Sequence, residues 1–450
     1  MKLVSAPFTP PIVKFLEQTP ILVMKSENLL PFLAWLAVIL FVSPLVASSE
    51  RWPQFRGVDS AGSGGDQRVP VNLSKETLRW SVRLPGPGTS SPVVWDDKLF
   101  LTAEVRAAGR TELVRMDAKS GAIEWTRSIE GGDYQTHKFN NLASGTPCVT
   151  EDLVIVGWLD VGSEHAKLTA FTHDGDRVWT ADLGFHHSQH GVSFNPVASG
   201  DRVFVNHAHM GGGFTAAYRL EDGRQLWTSP NPDGAKTSYV APLVRELDGT
   251  GAKEVIQVGE LIGMIGFDYE TGAINWSLPD AFNHRTISSP VIINGNTDSN
   301  EALIAAGNKN GHFFAARVPK IEDGKIAREP RIEWAMESRA PYVPTPVSDG
   351  ETFYALHDGG TLTAMEAETG VVRWQGKLLG NFYASPVLVD GKLYCLSRSG
   401  EMWVVEAGNS FNVLRTAPLN PPEDVTWTDA TPAVAHNRLY VRMGSRLDCY

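Results

Sequence analysis

Cysteine is scarce in this chain. Its three copies in 450 residues, Cys148, Cys395 and Cys449, are an odd number, which excludes a framework in which every thiol is paired within the chain. Cys148 and Cys395 sit inside apolar runs and read as buried free thiols. Basic residues are outnumbered, 40 Lys and Arg against 51 Asp and Glu, for a net charge of −11. That balance shows no footprint for nucleic acid or an anionic membrane surface and reads as a solvated acidic exterior. Complete metal motifs are missing as well. Asp248-Gly249-Thr250-Gly251 and Asn294-Gly295-Asn296-Thr297-Asp298 lack the full ligand series and distal Glu of a calcium loop, and are expected to be hairpin turns.

The first 47 residues differ from the rest. Leu29 to Val46 is almost wholly apolar, follows Lys25, and ends in small residues around Ala47. A positive flank, an apolar core and a small-residue cleavage site are the pattern of a secretory signal, with Met24 a possible start. Residues 1–47 are therefore expected to be a signal peptide and the remainder periplasmic or secreted, without stable membrane insertion after cleavage. Residues 48–77 read as a loop-like lead-in rich in Gly, Ser and Asp.

What the chain does have is a repeat. Pro92, Pro147, Pro196, Pro242, Pro290, Pro346, Pro386 and Pro432 each open a short apolar run, at intervals of 55, 49, 46, 48, 56, 40 and 46 residues. Self-similarity at that period points to a propeller or an array. Each repeat contains four short runs rich in Val, Leu, Tyr and Trp, separated by Gly, Asp, Asn or Ser, as antiparallel strands joined by turns require. A Trp recurs on the fourth run: Trp125, Trp179, Trp227, Trp276 and Trp374 follow a turn closely, and Trp334, assigned to the sixth blade, follows a polar insert. The seventh slot is assigned to Leu414. Large flat side chains packed between neighbouring blades account for this period without any chemistry.

Trp80 lies on a fourth strand with no first three before it, whereas the C-terminal segment supplies three strands and no fourth. Joining them completes an eighth blade and leaves no open sheet edge. The expected fold is all-β: an eight-bladed β-propeller of four-stranded antiparallel blades over residues 78–450, its last blade closed by N- and C-terminal strands. Cys395 and Cys449 then fall in adjacent blades, where a pair is geometrically open to them.

The repeat resembles that of the pyrroloquinoline quinone (PQQ)-like β-propeller family. Gly359-Gly360-Thr361-Leu362-Thr363-Ala364-Met365, then Glu366-Ala367-Glu368-Thr369-Gly370 and Trp374, matches its pattern well. Trp52-Pro53-Gln54-Phe55-Arg56-Gly57 resembles the lead-in of such propellers. The family includes enzymes and non-enzymes, so the resemblance specifies fold rather than activity.

In a propeller the first strand of each blade lines the channel, so the segments arriving at the eight prolines converge on one face. They carry His190, Lys236, Tyr239, His284, Arg285, Tyr342, Asn381, Tyr383 and Trp427, which are the expected ligand-binding residues at the channel mouth, with Asp429 the candidate catalytic carboxylate. His186, His187, His190, His207 and His209 are the candidate metal ligands, although their spacing matches no zinc motif.

Two functions follow. A quinoprotein dehydrogenase would hold PQQ with calcium and oxidise an alcohol or sugar. The resemblance implies for such enzymes a vicinal Cys-Cys pair, a Trp platform and an Asp near the metal; the chain has no adjacent cysteines and no C-x-x-C-H haem motif. The favoured expectation is a non-catalytic, monomeric, extracytoplasmic propeller, similar to the outer-membrane assembly propeller, that binds a protein or glycan partner at its loop face.

Overall fold

The computed structural model describes residues 50–450 apart from 130–139, 189, 248–250, 294–301, 320, 323–324, 327 and 424. The signal-peptide assignment, and both Asp/Asn-Gly turns except Gly251, lie outside the described residues.

Eight four-stranded antiparallel blades follow one another along the chain, each with its proline-led strand innermost among its four, and Arg51–Trp52 adds a fifth strand to the first sheet. In blade one the strands are Val93–Trp95, Lys98–Val105, Arg110–Asp117 and Ile123–Ile129. Blade seven, the most regular in sequence, has Val387–Val389, Lys392–Leu396, Glu401–Glu406 and Val413–Pro418. Its first hairpin turns on Asp390-Gly391 with φ 48° and 65°, the two left-handed residues that match strand twist. Blade eight joins Trp80–Arg83 to Ala433–Ala435, Arg438–Met443 and Arg446–Cys449. Trp80 pairs with Cys449 and Arg83 with Arg446, and the Ser81 hydroxyl donates to Asp448 Oδ1 at 2.6 Å. The ring is thus closed by chain ends, as expected.

The Trp period has a physical cause. On the fourth strand the Trp indole N–H reaches the turn of the next blade: Trp125 to His173 O, Trp179 to Leu220 O, Trp227 to Tyr269 O, Trp334 to Ala367 O and Trp374 to Gly408 O, at 2.7–3.1 Å. The turn itself needs glycine. Gly223 has φ 70°, and a Cβ there would stand 2.5 Å from the Trp179 ring. Blade five replaces this turn with the insert after Arg317, and Trp276 of blade four instead donates to Glu254 Oε2 at 2.9 Å. Glu254 is fully buried beside Arg245, Nε to Oε1 2.5 Å.

Two assignments are corrected by register. Trp334 pairs with Ala315 in the sheet begun by Val291–Ile292, which is blade five rather than six. In blade seven Val404 faces Arg415, as Ala364 faces Trp374 in blade six, so Arg415 holds the Trp slot and Leu414 is the bulged residue beside it. All three cysteines are buried and free; Cys395 and Cys449 are not joined.

The residues before the prolines form an inner belt. Each backbone N–H donates to the side-chain oxygen of its counterpart one blade on: Ser91 to Thr146, Thr146 to Asn195, Ala241 to Ser289, Ser289 to Thr345, Thr345 to Ser385, Ser385 to Thr431 and Thr431 to Ser91, at 3.0–3.1 Å. The step from Asn195 to Ala241 is the exception, because alanine offers no acceptor.

The lead-in is part of this ring. Arg51–Trp52 adds to the channel edge of Val93–Trp95, and Pro53 O accepts from Val149 N–H at 2.7 Å. Arg56 is fully buried and donates to the carbonyls of Thr345 at 2.8 Å, of Pro346, and of Pro386 at 3.4 Å. Burial pushes its guanidinium down to about 9. Gly62 and Gly64 then exchange backbone bonds with Leu388, and Gln67 and Arg68 bond to Asn437. Residues 51–68 therefore cross the channel from blades one and two to blades six, seven and eight.

Candidate functional site

Strand alternation places the segments before the prolines and the hairpins between second and third strands on one face. There the channel widens into a cavity of about 470 Å³, and Phe55 of the lead-in also lines it. This cavity is called the funnel below. Its wall carries His190, Tyr239, Arg285, Tyr342, Tyr383 and Asp429 of the expected residues. Asn140, Asn195, Lys309 and the hydroxyls of Thr89, Ser91, Ser144, Thr146, Ser193, Thr345, Ser385 and Thr431 complete its polar lining.

Neighbouring loops brace one another. Asn140 Nδ2 donates to His190 O at 2.7 Å, and Ser188 Oγ lies 2.7 Å from the Tyr239 hydroxyl. Tyr239 N–H donates to Thr286 O at 3.0 Å and Ser288 N–H to Tyr342 O at 3.2 Å. Asp358 holds the next loop, its Oδ2 accepting from Tyr342 N–H at 2.8 Å and its Oδ1 from Val343 N–H at 3.3 Å. Burial raises its pKa despite those bonds.

Asp429 is committed to Arg398. Nε and Nη2 meet its two carboxylate oxygens at 2.8 and 2.9 Å, and the guanidinium carbon lies 3.9 Å from the Tyr383 ring centre and 4.3 Å from that of Trp427. Burial holds the Asp429 carboxyl above its usual range while Arg398 pulls it down. A bidentate, sandwiched pair of this kind is rigid and leaves Asp429 poorly placed to take a substrate proton. Trp427 is 41% exposed and covers Arg398 rather than lining the funnel.

Lys236, His284 and Asn381 also stand outside the lining. Lys236 pairs with Glu260, His284 Nδ1 accepts its neighbour's N–H at 2.8 Å, and Asn381 is exposed, its carbonyl accepting from Arg398 N–H. Sequence reasoning missed Arg398, Asp358, Lys309 and Phe55. Asp358 and Lys309 sit in second-to-third-strand hairpins, which share the funnel face by strand alternation alone. That signal was available.

The five candidate metal-ligand histidines divide. His186, His207 and His209 come together outside the funnel lining, with ring centres 5.3, 5.3 and 4.7 Å apart, packed against Phe194 and Phe214. His187 lies beside Phe185, and His190 faces the funnel. Among the described residues no group of three or more His, Cys, Asp or Glu side chains is arranged to hold a metal ion. Burial, then the neighbouring imidazoles, pushes His186 down to about 4 and His207 to about 2, and burial, then His187, also lowers His209; the His186 and His207 rings stack, while His209 meets both at an angle.

A family model described as outer membrane protein assembly factor BamB matches residues 55–159, 135–335 and 324–447. The chain belongs to this family. Among solved structures it is similar to BamB from Moraxella catarrhalis, with 16% identity, a TM-score of 0.56, and 83% of this chain and 96% of that chain covered. It is also similar to the Dos1 propeller at 12% identity and TM-score 0.54, covering 83% and 94% of the two chains. Quinohemoprotein alcohol dehydrogenase from Comamonas testosteroni aligns at 13% identity and TM-score 0.50 over 91% of this chain and 81% of that one. Comparison with curated proteins gives no match. At these identities the likeness is one of fold.

Proposed function

We propose that this chain is an extracytoplasmic, non-catalytic binding propeller that takes the end of a glycan into its funnel. The observation that carries this reading is the lining. Hydroxyls, amides and three tyrosines line a cavity of about 470 Å³, within the range of small-ligand sites. Tyrosine offers a flat apolar face with a polar tip, which suits the alternating C–H faces and hydroxyls of a sugar ring.

The funnel's donors do not fit PQQ with calcium. Calcium takes six to eight oxygens, carboxylates prominent among them. Among the described residues that line the funnel, Asp429 is the one carboxylate, and Arg398 holds both its oxygens. Trp427 lies over the same guanidinium.

A second reading is favoured by exposed apolar side chains on the mouth side. Phe185, Met210, Leu261, Leu379 and Trp427 all lie at strand ends or hairpins of that face, and would suit a protein docked over the rim.

Thermal unfolding of the purified protein separates these readings, because a ligand bound to the native state must raise the midpoint. Oligosaccharides are expected to raise it and PQQ plus calcium to leave it unchanged. A midpoint raised by the quinone, together with dye reduction in the presence of alcohols or sugars, would overturn the proposal.

A further inference from the structure

Resting on the glycan reading, we propose that Phe55 is a ligand-contacting residue: its ring takes the apolar face of the sugar in the funnel, so that lead-in and propeller build the site jointly. Among the described residues that line the cavity, Phe55 is the one from outside the repeats. Burial alternates along the approach to it: Trp52, Gln54 and Arg56 are buried, whereas Arg51, Pro53 and Phe55 are half-buried. Gly57 N–H donates to Gln54 O at 2.9 Å and closes a turn with Phe55 at its second position and Arg56 at its third. Arg56 has φ 68°, a conformation that glycine adopts readily and other residues seldom. Its guanidinium holds the turn in that state by donating to the carbonyls of Ser60, Ala61, Thr345, Pro346 and Pro386. Backbone strain that the surrounding structure enforces gathers where a side chain is presented to a ligand. Here the side chain presented is Phe55.

The anchors on either side of Phe55 set its level in the channel. Pro53 O accepts from Val149 N–H, beyond the belt residue Thr146 on the same chain segment. Arg56 reaches the carbonyls of Thr345, itself a belt residue, and of the prolines that follow Thr345 and Ser385. The loops of the funnel arrive from the opposite direction, ahead of the belt. Phe55 is thus held across the channel at the belt, and Ser91, Thr146, Asn195, Thr345, Ser385 and Thr431 of the belt line the same cavity. Each of these six side chains accepts one backbone N–H from a neighbouring blade. A hydroxyl that accepts one such bond still has its own proton to donate. The layout is an aromatic ring with hydroxyls and an amide around it, drawn from blades one to three and six to eight. A pyranose with equatorial hydroxyls is its complement, with C–H groups on the faces and hydroxyls radiating from the edge. The ligand class is therefore a glycan ending in a gluco-configured sugar.

The test is calorimetric titration of the full protein with cellotriose, chitotriose and mannotriose. Cellotriose or chitotriose is expected to bind more tightly than mannotriose, whose second hydroxyl is axial. Phe55→Leu keeps apolar bulk without the flat ring and should weaken that binding about threefold or more; Phe55→Ala should weaken it about tenfold, and Phe55→Tyr should stay within about twofold. A second readout leaves the ring in place. With para-fluorophenylalanine at position 55, the fluorine resonance should shift when the sugar is added to saturation. That measurement decides the matter if the Leu and Ala variants fail to fold, as a thermal melt would reveal. A preference for mannotriose, undiminished binding by folded Phe55→Leu, or a fluorine resonance unmoved by a sugar that binds overturns this inference and leaves the glycan reading standing. Binding by none of the three sugars removes both.

Discussion

The backbone N–H of Thr431 donates to the Ser91 hydroxyl oxygen at 3.1 Å, joining residues 340 apart in the chain. That bond carries the inner belt across the seam where the two chain ends meet. The belt is buried, so each link satisfies an N–H that water cannot reach.

Removing an acceptor should therefore be felt. Ser91→Ala and Ser385→Ala are each expected to lower unfolding free energy by about 1–3 kcal/mol, the range for a buried donor left unsatisfied. Ala241→Ser supplies the acceptor missing from the belt and should raise stability by about 1 kcal/mol. Urea unfolding midpoints at constant slope measure all three. A Ser91→Ala midpoint equal to that of the parent would show that the belt is incidental.

The turn glycines offer a paired comparison. Gly391 has φ 65° with nothing within 4 Å of a built Cβ, whereas Gly223 has φ 70° and would place that carbon against Trp179. Gly391→Ala should cost about 1–2 kcal/mol from left-handed strain alone. Gly223→Ala should add a further ~1–3 kcal/mol from overpacking against the indole. Equal losses at both sites would refute the role given to Trp179.

The histidine trio makes stability depend on pH. His186 and His207 have folded pKa values near 4 and 2. Both lie below the unfolded value of about 6.5, so the unfolded chain binds the proton more readily. Their contribution is complete above about pH 6.5 and is lost as pH falls below it, by roughly 2 kcal/mol per ring at pH 5. Thermal melts between pH 7.5 and 5 should show this decline. In His207→Leu the decline should be shallower, and a parallel decline would count against the assignment.

The Arg398–Asp429 pair should behave as a unit. Asp429→Ala leaves a guanidinium buried between two rings without its carboxylate, and should cost about 3–5 kcal/mol. Arg398→Met combined with Asp429→Leu should lose less than Asp429→Ala alone. Additive losses in the corresponding double-mutant cycle would show that the two side chains act separately.

Most of the ring was legible because its causes are local and periodic. A proline that opens a strand, a left-handed glycine in a turn, and a Trp four or so residues later recur with each blade, so blade count, strand order and terminal closure could be read from spacing. Where one blade departs from the rule, spacing alone misled. The insert after Arg317 displaced Trp334 by one blade, and the bulge in the fourth strand put Arg415, not Leu414, in the Trp position. The funnel was half legible. Six of the ten residues expected from the segments before the prolines line it, whereas Lys236, His284, Asn381 and Trp427 do not; Lys309 enters from a hairpin and Phe55 from the lead-in. Arg398 sits in the same kind of hairpin, so its face was legible, but its partner 31 residues away and the two rings around it come together only in the folded chain.

The clasp also sets an order of events. Trp80–Arg83 is made before any complete blade, yet its partner strand, Arg446–Cys449, is made more than 360 residues later. During synthesis the early strand must wait with one edge unpaired, and seven blades can form before it is covered. Closing the eighth blade thus joins strands made more than 360 residues apart, and a ribosome that stops short of Arg446 leaves Trp80–Arg83 without its partner strand.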